Sequence, residues 1–128
     1  MNISFAWTTT ALLDGRKSVT RRQWTSDYMA LWQRAWDRGD RTHTAYDKSP
    51  RFKGKAVGKI TLTIRPYWER LCDMPDSDVA AEGGLWADKA EFIASFDCEP
   101  EKEVAVVRFT FTPTQEQSYP LFPNAARG

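Results

Sequence analysis

Val104-Ala105-Val106-Val107-Arg108-Phe109-Thr110-Phe111-Thr112 decides the fold of this chain. Val107, Phe109 and Phe111 alternate with Arg108, Thr110 and Thr112, the period of a strand with one buried and one wet face. A second stretch repeats the pattern: Ile60, Leu62 and Ile64 alternate with Lys59, Thr61, Thr63 and Arg65 until Pro66 ends it. Strands with one polar face belong to an antiparallel, half-solvated sheet, whereas a doubly wound parallel sheet buries both faces. Helical segments interrupt the strands without a βαβ rhythm. The predicted class is therefore α+β, a curled and partly antiparallel sheet forming a small open barrel with helices across its mouth.

Working outward, Asn2 to Ala6 reads as a short strand and Thr8 to Leu13 as a short helix that begins at a threonine and stops at Gly15. Val19 to Trp24 is expected to run extended with Val19 buried. From Thr25 to Gly39 the residues Tyr28, Leu31, Trp32, Ala35 and Trp36 fall at helical spacing, so their face should point inward. Arg41 to Asp47 is a further candidate strand and Lys48 to Gly54 a basic loop. Pro75 to Ala81 and Asp88 to Phe96 read as helices, the first ending at Gly83-Gly84. The expected organisation is one domain over residues 1–113 and a loosely held tail over 114–128.

The 128 residues suit a single core, and no repeat or low-complexity segment interrupts them. A formal charge of +1 argues against broad adhesion to duplex nucleic acid, which needs many phosphate contacts, but leaves room for a local anion-binding cleft. Cys72 and Cys98 lack CxxC spacing and His43 is the single histidine, so no metal and no cofactor is expected. No apolar run approaches the roughly 20 residues of a membrane span. The expectation is a cytoplasmic protein with reduced thiols, although the two cysteines could pair in an oxidising compartment.

Charge is gathered in Gly15-Arg16-Lys17-Ser18-Val19-Thr20-Arg21-Arg22, which holds four cations and two hydroxyls. Lys17 and Thr20 are three apart and meet only if the chain bends after Lys17, which Gly15 favours. A threonine hydroxyl attacks a carbonyl once a base takes its proton, and an amine serves when burial or neighbouring cations lower its pKa. Arg16, Arg21 and Arg22 would supply that repulsion and hold an anionic group. The plainer reading is a solvated basic turn.

Glu82 stands at a predicted helix C-terminus, where the macrodipole disfavours a carboxylate, so a cation should compensate. Beside Lys17 it would orient the amine or shuttle a proton; alone it would be an exposed surface acid. Trp7 follows the first strand and Tyr46 adjoins the basic loop, so either could stack on a base, with core packing as the alternative. His43 reads as a surface histidine, and Asp76 and Asp78 as helix-start residues.

The segment Ala11 to Arg22, followed by Ala80-Ala81-Glu82-Gly83-Gly84 and Glu91-Phe92, resembles the ASCH domain family over roughly residues 1–112. The resemblance implies a PUA-like β-barrel with a cleft for a nucleoside or single-stranded RNA. One bacterial branch consists of amidohydrolases that remove the acetyl group from acetylcytidine. Carried over by motif, Thr20 would attack the amide carbonyl, Lys17 would activate it and Glu82 would assist proton transfer. Arg16, Arg21, Arg22, Trp7 and Tyr46 would contact substrate. The same cleft in a non-catalytic RNA-binding module, or in a ribonuclease, is the alternative. This chain adds the tryptophan-rich helix and the Tyr46-to-Arg51 loop, a longer form that looks like those of phages and prophages.

Overall fold

A computed structural model describes residues 1–114. The strands are β1 (Asn2–Ser4), β2 (Val19–Arg22), β3 (Thr42–Tyr46), β4 (Ala56–Leu62), β5 (Tyr67–Arg70) and β6 (Glu103–Pro113). The helices are α1 (Thr9–Leu13), α2 (Ser26–Asp37), α3 (Asp78–Ala81) and α4 (Lys89–Ala94). The tail expected over 114–128 falls, beyond Thr114, outside the described residues.

β6 organises the sheet because it is long enough to serve three partners. Its second half pairs antiparallel with β4, and its first half lies between β2 and β5. β4 continues to β3 and β3 to β1, the last pair parallel, giving the order β1-β3-β4-β6-β2. The sheet curls into a small barrel-like α+β fold whose edges, β1 and β2, stand beside each other: the Arg22 side chain on β2 donates to the Ser4 carbonyl on β1 at 2.7 Å.

Inside the curl, alternation along the strands delivers Ile60, Leu62, Val107 and Phe109, and Trp32 of α2 closes the interior. A smaller cluster of Leu71, Met74, Phe92 and Val104 lies on the opposite face of β6, under α3 and α4. α2 begins as its sequence requires, with the Thr25 hydroxyl accepting from the Tyr28 amide.

Four expectations need correction. The buried stripe of α2 is Met29, Trp32 and Ala35, whereas Leu31 is 45% exposed, because the helix meets the barrel along one narrow i, i+3 line. β4 ends at Leu62 and Ile64 lies in the turn that leads to β5, a strand the sequence reading missed. β5 was illegible because Tyr67-Trp68-Glu69-Arg70 is short and pairs with β6 alone. His43 is buried, not superficial: it lies on β3 against the Trp32 ring, with centroids 4.5 Å apart.

Candidate functional site

The seam between β1 and β2 opens into a cavity of about 340 Å³. Ser4 to Thr8 form one wall, Lys17 and Thr20 to Arg22 the other, and Glu82, Trp86, Phe92 and Phe96 close it from the α3–α4 side. The volume falls at the lower end of small-ligand pockets.

Local sequence explains how Lys17 reaches it. α1 stops at Gly15, whose φ of +78° is left-handed and suits glycine. The chain then runs alongside the end of α3, where the last carbonyls have no partner within the helix. Three successive residues satisfy three successive carbonyls: the Ser18 amide donates to Ala81, Lys17 Nζ to Glu82 and an Arg16 Nη to Gly83. On the other side of that turn, Gly83 has a φ of +131° and a Cβ there would lie 3.0 Å from Ala11. A side chain at Gly83 would thus push α3, and Glu82 with it, away from α1.

Lys17 Nζ also donates to Glu82 Oε1 at 2.9 Å, and both side chains are nearly inaccessible. Burial pulls the Lys17 pKa below its ordinary value of 10.5; the Glu82 carboxylate opposes this, and the positive charges of Arg22 and Arg21 add to it. The cation required beside a carboxylate at a helix end is therefore supplied twice, since Arg21 Nη1 donates to Glu82 Oε2 at 3.0 Å.

Arg21 reaches further. Its guanidinium also binds Glu69 and Asp78, and Asp78 in turn accepts from Arg108. Burial works against the Arg21 charge, but the hydrogen bonds Arg21 donates to Asp78 and Glu69, with the charge of Glu82, outweigh it and raise the pKa. Burial likewise opposes ionisation of Asp78, and Arg108 and Arg21 overcome it, holding its pKa below 3.8. Asp78 is thus more than a helix-start residue. It ties α3 to β2 and β6.

Thr20 and Arg22 point to the other face of β2. Thr20 Oγ1 accepts from Arg22 Nε at 3.0 Å and the Arg22 guanidinium sits over the Phe5 ring. Among the described residues Arg22 makes no ion pair, and burial lowers its pKa. Thr20 and the Lys17–Glu82 pair line one cavity, with no hydrogen bond between the hydroxyl and Lys17 in this state.

The remaining expected residues divide. Trp7 lines the cavity, 65% exposed at its mouth, with its ring edge-on to Trp86. It follows Ala6, whose φ of +49° is a left-handed conformation that alanine adopts at a cost. Arg16 and Tyr46 lie outside the lining: Arg16 is engaged by Gly83 and Asp14, and the Tyr46 backbone pairs with β1. Trp86, Phe92 and Phe96 were not foreseen as cavity residues. Only Phe92 and Phe96 carried a signal, the apolar stripe of the segment Asp88 to Phe96, within which α4 lies.

No protein-family model matches the chain, and no curated protein matches it. Among solved structures, the crystal structure of protein EF3133 from Enterococcus faecalis V583, of family DUF984, is similar at a TM-score of 0.57. The likeness covers 94% of this chain and 76% of that one at 13% identity. At that identity it speaks for the fold. Among the described residues no helix is long and apolar enough to cross a membrane, and no group of three or more His, Cys, Asp and Glu side chains is placed to hold a metal ion.

Proposed function

We propose that the cavity is an ASCH-type site that takes a cytosine-like base and hydrolyses an acyl group from its exocyclic amine. The observation that carries this reading is the buried Lys17–Glu82 pair in the same aromatic-walled cavity as Thr20. A base enters between Phe5, Trp86 and Phe92, and its polar edge meets Lys17, Glu82 and Thr20.

Thr20 Oγ1 adds to the acyl carbonyl while its proton passes to Lys17, acting as the amine. The carbon–nitrogen bond breaks, the exocyclic nitrogen departs with that proton, and the acyl group stays on Thr20 as an ester. Water then cleaves the ester, releasing the carboxylic acid and restoring the hydroxyl. Desolvation favours the amine form of Lys17, and Glu82 at 2.9 Å receives and returns its proton. The Arg22 hydrogen bond to Oγ1 lowers the cost of negative charge on that oxygen.

Release of acetate from acetylcytidine tests this. Thr20→Ala and Lys17→Met are expected to lower kcat by roughly 100-fold or more, a loss larger than any weakening of cytidine affinity. Because the working form of Lys17 is the amine, kcat/KM should rise with pH along a limb centred below 10.5, and Lys17→Arg should remove the limb. No acetate release by the unaltered protein, or full activity of Thr20→Ala, overturns the hydrolase reading.

A second reading has its own support: Glu82 supplies both acceptors of the Lys17 ammonium, and three carboxylates hold Arg21. Cations so engaged are fixed donors, as a non-catalytic module for single-stranded RNA would need. Cytidine binding without turnover would select it.

A further inference from the structure

A second hollow of about 630 Å³ lies between Trp24 and Trp68, with Lys102 and Glu103 at one end. From its position and chemistry we infer that the natural ligand is a single-stranded oligonucleotide, with one base in the cavity and a neighbouring base in this groove. The inference rests on the nucleobase reading of the cavity.

Register places the two hollows in line. Arg22 and Trp68 both oppose Ala105 of β6 and so share one row on one face of the sheet, while Thr20, in the cavity, opposes Val107 one step along the same face. Trp24 follows Arg22 by two residues. Thr20 and Arg22 are one two-residue step apart along β2, about 7 Å, and Arg22 and Trp68 are two strand spacings apart across β6, about 10 Å, so cavity, Arg22 and groove succeed each other at distances that a nucleotide linkage covers.

Charge matches this order. Arg16, Arg21, Arg65, Arg70 and Arg108 each hold a carboxylate, but Arg22, between the hollows, binds only the neutral oxygens of Thr20 and Ser4 among the described residues. A half-buried cation with neutral partners suits a phosphodiester. In the groove itself Lys102 and Glu103 offset each other, which suits an uncharged base. The Trp24 ring is already stacked on buried Trp32, centroids 5.1 Å apart, so little order remains to be imposed when a base packs there.

Calorimetric titration of the full chain with cytidine and with the trinucleotide UpCpU, repeated for Trp68→Ala and Trp68→Phe, provides the test. UpCpU should bind the unaltered protein about 5- to 150-fold more tightly than cytidine, the range for one stacked base. Trp68→Ala should abolish that advantage without weakening cytidine, and Trp68→Phe, which keeps a ring, should retain most of it. Equal affinities for the two ligands, or Trp68→Ala weakening both alike, overturns the inference and leaves the proposed function standing. Failure of both ligands to bind overturns the two together.

Discussion

Arg21 and Arg65 make hydrogen bonds of nearly the same length to carboxylates, 2.8 Å from Arg21 to Glu69 and 2.9 Å from Arg65 to Asp37, yet they sit in opposite surroundings. The Arg21 side chain is wholly buried with three carboxylates around it, whereas the side chains of Arg65 and Asp37 are 49% and 53% exposed. Distance therefore says little about what an ion pair contributes. Water already solvates Arg65 and Asp37 well and screens their attraction, so the pair adds little. Around Arg21 the charges have lost their water and depend on each other, so removing one leaves the others uncompensated.

The largest effect should come from Arg21→Met. It keeps the length of the side chain but strands Glu69, Asp78 and Glu82 without their shared cation, and a loss of about 3–5 kcal/mol in unfolding free energy is expected. Chemical denaturation measures it. A loss no greater than that of an exposed pair would mean that water reaches these carboxylates and that the burial contrast is illusory. Because Glu82 also loses the bond to Oε2, the same substitution should impair the site even where the chain remains folded.

Much of the barrel was legible because it depends on local pattern. The alternation at Val107, Phe109 and Phe111 and at Ile60 and Leu62 places side chains on one face through backbone geometry alone. Thr25 and Gly15 mark helix ends for equally local reasons. The pairing of Lys17 with Glu82 was only half legible. The misplaced carboxylate before Gly83-Gly84 called for a cation, but which cation depended on the path of the chain after Gly15. Arg21 shows where such reading stops: alternation puts neighbours in the run Thr20-Arg21-Arg22 on opposite sides of the strand, but nothing in it says which side meets three carboxylates. That depends on which helix packs on which face of β2, a long-range fact. His43 was misjudged for the same reason, since its burial is set by Trp32 of α2.

His43 provides an intermediate test of the contrast, as a buried group with no countercharge bound to its ring. Burial, with the positive N-terminus near Nδ1, holds its pKa below 6.5. A depressed folded-state pKa means that the unfolded chain takes up the proton first as pH falls. Stability is then full above 6.5 and declines as pH drops from 6.5 toward the folded-state value. Urea midpoints measured from pH 7.5 down to pH 5 should fall, and in His43→Gln the fall over that interval should flatten. An equal slope in both proteins would mean that carboxylates, not this imidazole, govern the acid limb.

The smallest effect belongs to the exposed pair. Asp37→Asn removes the charge that Arg65 binds through Nε and Nη2 but leaves an amide able to accept one of those bonds. Arg65 holds the Asp37 pKa below 3.8, a shift that in an exposed group reflects local geometry more than a contribution to folding. The urea midpoint of Asp37→Asn should therefore match that of the unaltered protein at pH 7, and raising the salt concentration should leave the two coincident. A clear drop would show that the pair anchors the end of α2 to the turn before β5. Gln33 would then be implicated with it, because its side-chain amide donates to the carbonyl of Pro66, the residue after Arg65, and ties the same helix to the same turn.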